Sequence, residues 1–266
     1  MKNKTIYSLL MVVCLVGFWL FDNFYTPATY TAPEGTAPVV TISADFLPSS
    51  TTGEIVQHNY YTLSYSEKHE QAEWVAYQLD RSQLTYDDRK RPYFIEDPQV
   101  RTKSADYKNY KGSGYDRGHL CPAGDRRFSE FAYNETFYTS NISPQNNEFN
   151  AGIWNDLEKK VRYWAKKYDG VYVVTAGVLK NDLEAIGSEE VTVPDYFYKI
   201  VARKEAGGVK AIAFLFKNRE SKGALKSHAV SIDEIERQTG IDFFEKIPEA
   251  IQQTFESKVR ISDWKF

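Results

Sequence analysis

The segment Gly170 to Val178 (GVYVVTAGV) is the feature that most narrows what this chain can become. It is short, apolar and valine-rich, and it reads as a buried strand. Two further strands are expected at 192–204 and 209–216, separated by the turn signal Gly207-Gly208. Glu54 to Tyr65 (EIVQHNYYTLSY) is β-like and aromatic. Ser66 to Asp80 reads as a helix with Trp74, Tyr77 and Gln78 in its middle, and residues 81–115 read as polar loop. Ser231 and Glu234 form a capping-box pattern at the start of a later helix. No period of 20–50 residues recurs, which argues against solenoids and propellers. The expectation is one mixed α/β domain over residues 55–266.

A chain of 266 residues buries about three quarters of its unfolded surface and needs no disulfide staples. Its 2 cysteines, Cys14 and Cys121, are not expected to pair. Net charge is 33 − 36 = −3, which excludes a uniformly basic nucleic-acid binder. The charge is unevenly placed, however. Residues 101–127 carry seven Lys/Arg against three Asp, and 155–168 carry five against two acids. Residues 231–249 reverse this, with six acids against two bases. Charge runs alone usually mark solvated faces, but a basic middle also suits a polyanionic ligand.

Lys2 and Lys4 precede an uncharged stretch from Ile6 to Phe21, which Asp22 ends. Its length falls between a signal-peptide core and a membrane span. Residues 1–25 are therefore expected to be an uncleaved membrane anchor or a cleaved signal peptide. Residues 26–54, rich in Thr, Pro, Ala and Ser, would be a linker. Both alternatives predict an extracytoplasmic protein, either membrane-anchored or secreted or periplasmic.

No P-loop, H-E-x-x-H, paired C-x-x-C or G-x-G-x-x-G pattern is present. What stands out is an ordered set: Asp116-Arg117-Gly118-His119, then Asn141-Ile142-Ser143-Pro144-Gln145, then Asn150, Glu158 and Arg162. Trp154, Leu157, Val161, Trp164 and Tyr168 follow 3- and 4-residue steps, so they form the buried stripe of a helix. Glu158 and Arg162 lie four apart at the edge of that stripe, where a routine salt bridge would also be expected. His58, His69 and His228 sit in no recognisable constellation and are read as structural.

Together the DRGH residues, the NISPQ run and the Asn150–Glu158–Arg162 spacing resemble the DNA/RNA non-specific endonucleases, the ββα-metal nucleases of the endonuclease G type. The resemblance covers about residues 55–220 and is strongest from Gly114 to Arg162. It implies an α+β, ββα-metal (His-Me finger) fold with a central, mostly antiparallel sheet flanked by helices. It further implies hydrolysis of phosphodiester bonds in DNA and RNA with little sequence preference. His119 would be the general base, Arg117 and Arg162 phosphate contacts, and Asn150 the metal ligand. Glu158 would hold metal-bound waters, and Asn141 would support the network. An upstream phosphate-binding Arg is expected near Asp97-Pro98, with Arg91 the better candidate and Arg89 a competitor. Cys121 would be a buried thiol rather than a nucleophile. The implied cofactor is Mg²⁺, with Mn²⁺ or another divalent cation as a substitute, and a homodimer is a common family assembly.

These residue types suit the chemistry. A neutral imidazole accepts a proton from water near neutrality. A single Asn carbonyl leaves the charge of a hard, hydrated cation available to the phosphate. Arginine forks grip phosphate oxygens. Two alternatives use the same core: a metal-dependent phosphodiesterase on small phosphate esters, and a non-catalytic, polyanion-binding envelope protein.

Overall fold

The computed structural model describes residues 2–32, 43–206 and 208–266. The strands are β1 (Ile55–Gln57), β2 (Thr62–Ser66), β3 (Gln71–Asp80), β4 (Asp116–His119), β5 (Ile142–Gln145), β6 (Gly170–Gly177), β7 (Ala185–Ile186), β8 (Val191–Thr192), β9 (Tyr196–Glu205), β10 (Gly208–Lys217) and β11 (Ala229–Val230). The α-helices are α1 (Lys2–Phe24), α2 (Glu130–Glu135), α3 (Asn147–Phe149), α4 (Asn155–Tyr168), α5 (Ile232–Thr239) and α6 (Glu249–Gln252). One antiparallel sheet runs in the order β1-β2-β3-β6-β9-β10-β11. The apolar run at Gly170 becomes β6 near its middle, paired with β3 on one side and β9 on the other.

Alternation along β9 separates the two covering layers. Phe197 packs on Phe149 and Trp154, with ring centroids 5.5 and 5.7 Å apart. Its neighbour Tyr198 packs on Phe243 at 5.6 Å, on the opposite face. The α4 side carries the expected stripe: Trp154, Leu157, Val161 and Trp164 are buried, and Tyr168 is half-buried. Helix α4 ends where Asp169 turns left-handed at φ 65° and hands the chain to β6. Outside the sheet, β4 and β5 form a two-stranded ribbon that leads into α3 and α4, giving the order ββα. A second cluster, largely aromatic, lies around this ribbon and includes Tyr30, Phe94, Tyr133, Phe137, Tyr138 and Ile142.

Several expectations need correction. Ser66 to Asp80 is not a helix; Gln71–Asp80 is β3, between β2 and β6. Buried along nearly its whole length, this strand has no in–out alternation, and its interspersed polar residues mimic helical spacing. One of them, Glu73, accepts from Ser64 Oγ at 2.6 Å and from the Thr51 N–H at 2.9 Å. The expected strand 192–204 divides into β8 and β9 around Pro194, which cannot donate to a ladder. Of the turn pair Gly207-Gly208, Gly207 lies outside the described residues.

The stretch 26–54 is not a plain linker. Tyr30 and Phe46 are buried, and Ser49 ties Trp74 and Asp242 by hydrogen bonds of 2.8 Å each. Residues 33–42 lie outside the described residues. Among the described residues, no helix is long and apolar enough to cross a membrane. The uncharged run from Ile6 to Phe21 would span only about 24 Å as a helix, against a hydrocarbon core of roughly 30 Å.

Candidate active site

Strand β4 pairs with β5 in the register Asp116↔Gln145, Arg117↔Pro144, Gly118↔Ser143 and His119↔Ile142. Gly118 is required by close approach, since a Cβ there would sit 2.2 Å from the Gln145 side chain. At the end of the ribbon, Asn141 fixes the exit of β4. Its Oδ1 accepts from the Cys121 N–H at 2.8 Å, and its Nδ2 donates to the Cys121 and Thr136 carbonyls at 3.0 and 2.9 Å. Asn141 is fully buried and these bonds occupy its amide, so it positions the ribbon rather than facing a substrate. Cys121 is buried and unpaired, and burial pushes its thiol up to about 12, as an inert thiol requires.

His119 sits between two phenylalanine rings, 5.6 Å from Phe94 and 4.9 Å from Phe137. Its Nε2 is shielded from solvent and makes no hydrogen bond. Burial, reinforced by the positive charge of Arg91, drives the imidazole down to about 3, so the ring is neutral at physiological pH. The same rings carry the two guanidinium groups. Arg117 lies 4.8 Å from the Phe94 centroid, and Arg91 lies 5.3 Å from Phe94 and 5.6 Å from Phe137. Of the two upstream candidates, Arg91 lies beside His119 and Arg89 does not. Arg89 is turned away, bonding the Arg127 carbonyl at 2.8 Å and Asp87 at 3.1 Å.

Asn150 begins a π turn over Asn150–Trp154, a wide turn of a kind often found at functional sites, which joins α3 to α4. Its Nδ2 donates to Asp116 Oδ2 at 2.9 Å, and Asp116 also accepts from Asn147 Nδ2. Asp116, the first residue of the DRGH motif, thus links the ribbon to the helix. With its nitrogen engaged, Asn150 presents a neutral carbonyl oxygen, a donor suited to a hard cation that keeps most of its waters.

On α4, Glu158 and Arg162 do not form the routine pair. Arg162 Nη1 instead binds Asp125 Oδ1 at 2.7 Å, and Tyr77 donates to Asp125 Oδ2 at 3.0 Å. Gly124 leaves room for this arginine, because a Cβ there would sit 3.1 Å from Arg162 Nη1. Half-buried Glu158 is raised by burial, an effect opposed by Lys199. Lys199 on β9 is fully buried, has no hydrogen-bond partner for Nζ, and lies 4.4 Å from the Trp154 ring centroid.

Sequence reasoning missed Asp116, Asp125, Lys199 and the Phe94–Phe137 floor. Only Asp116 carried a signal, its place in the motif. The three remaining histidines each bond a partner elsewhere. His58 pairs with Asp97 at 2.7 Å, His69 meets Thr192 at 2.9 Å, and His228 meets Ser221 at 3.1 Å.

The family model described as DNA/RNA non-specific endonuclease matches residues 41–250. Nuclease EXOG, mitochondrial, of Xenopus laevis is 33% identical over 251 residues, covering 88% of this chain and 69% of the frog protein. The Danio rerio protein of the same name is 36% identical, covering 71% of this chain and 61% of its own length. Endonuclease G, mitochondrial, of Homo sapiens is 36% identical over 202 residues, covering 70% and 68%. A solved complex of EndoG with EndoGI superposes with a TM-score of 0.69 at 30% identity, covering 74% of this chain and 88% of that one. The expected extracytoplasmic location does not stand, because these relatives are mitochondrial nucleases and no described helix can span a membrane. Sequence match and ββα geometry agree: the chain belongs to the DNA/RNA non-specific endonuclease family, a family of hydrolases, and has its ββα-metal fold.

Proposed function

We propose that the protein is a Mg²⁺-dependent endonuclease that hydrolyses DNA and RNA with little sequence preference. The observation that carries this reading is the gathering of Arg91, Arg117 and neutral His119 on one aromatic floor, with Asn150 clamped to the same ribbon by Asp116. Arg91, Arg117 and Arg162 would bind phosphate oxygens through charge-assisted hydrogen bonds. Phosphate bound at Arg91 offsets the positive charge that depresses His119, so the imidazole becomes a better base once substrate is in place. His119 then takes a proton from water, the water oxygen attacks phosphorus, the bond to the 3′ oxygen breaks, and the departing 3′ oxygen takes a proton from solvent water. The products carry 5′-phosphate and 3′-hydroxyl ends.

Asn150 would hold the cation through its carbonyl oxygen, and Glu158 would order waters beside it. When bound, Mg²⁺ neutralises phosphoryl charge and stabilises the departing oxygen. Asn141 acts through the ribbon, by holding the exit of the strand that carries His119. Phosphate contacts carry no base information, so broad substrate use follows.

The test is digestion of plasmid DNA and of RNA by the full chain with MgCl₂, against EDTA. Both substrates should be degraded only with the cation, and cleavage should fall steeply with added salt as counterion release weakens binding. No cleavage of either substrate with Mg²⁺, Mn²⁺ or Ca²⁺ would refute the proposal.

A further inference from the structure

The acid-rich stretch at 231–249 takes no part in the site above, yet it meets another acid from the end of the chain. Asp233 and Glu236 on α5 and Glu256 beyond α6 each place one carboxylate oxygen within 4.8 Å of the others. Asp233 is exposed and Glu236 half-buried, whereas Glu256 is only 6% exposed. Glu256 Oε1 is shut off from solvent and accepts no hydrogen bond. Glu236 commits Oε1 to the Phe243 N–H at 2.9 Å. Asp242 adds a further negative charge nearby. The neighbouring base does not help, because Arg237 pairs with Glu234 at 2.6 Å.

Three like charges around a largely buried carboxylate with one unpartnered oxygen repel one another unless a cation or a proton neutralises them. The backbone holds them together regardless: the Glu256 carbonyl accepts the Ile232 and Asp233 N–H groups at 2.9 and 3.4 Å. We propose that Asp233, Glu236 and Glu256 form a second cation site, which takes a divalent ion of calcium size and pins α5 to the C-terminal segment. Calcium accepts six to eight oxygens at about 2.3–2.6 Å in flexible geometry, so one ion can join oxygens up to about 5 Å apart. The shorter bonds and strict octahedron of Mg²⁺ suit that spread less well. Glu256 lies beyond the matched family region of 41–250, whereas Asp233 and Glu236 lie within it.

The proposal is tested in the full chain carrying Asn150→Ala, which removes the ligand assigned to catalysis and keeps the two sites apart. After EDTA stripping, calorimetric titration with CaCl₂ should show one ion per chain. At a hundredfold excess over Kd, Tm should rise by on the order of 5 °C. Adding Glu256→Gln should abolish the isotherm. Adding Asp233→Asn, an exposed change that leaves packing intact, should weaken binding about tenfold or more. An Asn150→Ala protein with no isotherm and no Tm response would overturn the proposal, leaving Glu256 as a buried neutral acid. Unchanged affinity in the Asp233→Asn protein would overturn it as well.

Discussion

The central sheet and the ββα layer are held together by different physics. The sheet core is a continuous apolar body in which Trp164, Phe214, Phe197 and their neighbours are nearly or wholly buried. The layer around β4 and β5 is smaller, aromatic, and threaded with buried polar groups such as Asn141, Ser143, Asp97 and His58. Apolar contact is non-directional and supplies stability, while hydrogen bonds and ring edges fix direction. The molecule therefore builds a stable body from one and aims its charged groups with the other. Substitutions in the two regions should have separable consequences.

The largest separation is expected at His119. His119→Gln, which keeps most of the side-chain volume, should lower kcat for plasmid cleavage by about 10³-fold while leaving the melting temperature near that of the parent. Parental cleavage by the purified variant would break the assignment of the base. The sheet should behave in the opposite way. Phe214→Ala, on β10, should destabilise the fold by about 3–5 kcal/mol in denaturant melts, while its still-folded fraction cleaves at the parental rate. A fall in kcat without a fall in stability would show that the two regions are not separable.

Smaller effects sharpen the picture inside the ββα layer. Arg91→Ala should reduce kcat/KM about 10–100-fold and flatten the salt dependence by about one phosphate contact, whereas Arg89→Ala should change it little. The same Arg91→Ala change removes the positive neighbour, so the His119 imidazole should titrate higher than in the parent, as read from its NMR shift. An unmoved or lowered value would place Arg91 elsewhere. The smallest effect is expected at Tyr30, whose hydroxyl donates to the Tyr93 carbonyl and whose ring lies 5.2 Å from Tyr138. That bond anchors the backbone just before Phe94. Tyr30→Phe should raise KM a few-fold with little change in kcat, and equal KM values would reduce Tyr30 to packing.

The parts legible in the sequence were those with a period or a motif. The α4 stripe, β6 and the capped start of α5 follow from spacing, and the order from Asp116 to Arg162 follows from family resemblance. The errors have physical causes too. Strand β3 is buried on nearly every residue and so lacks the alternation that marks a half-buried strand. Tyr30 and Phe46 sit among Thr, Pro and Ser, where local composition says linker, yet each finds a cavity made by distant chain. Arg162 was placed beside Glu158 by helical spacing, but the stronger partner, Asp125, comes from a loop that no period reports.

What the sequence determined by itself was the family, the ordered set of candidate site residues and the burial of a valine-rich strand, because these are properties of local pattern. Tertiary structure alone decided which arginine joins His119, what clamps Asn150 and which acids meet Glu256. Those pairings join residues far apart in the chain, and only packing brings their charges close enough to shift one another.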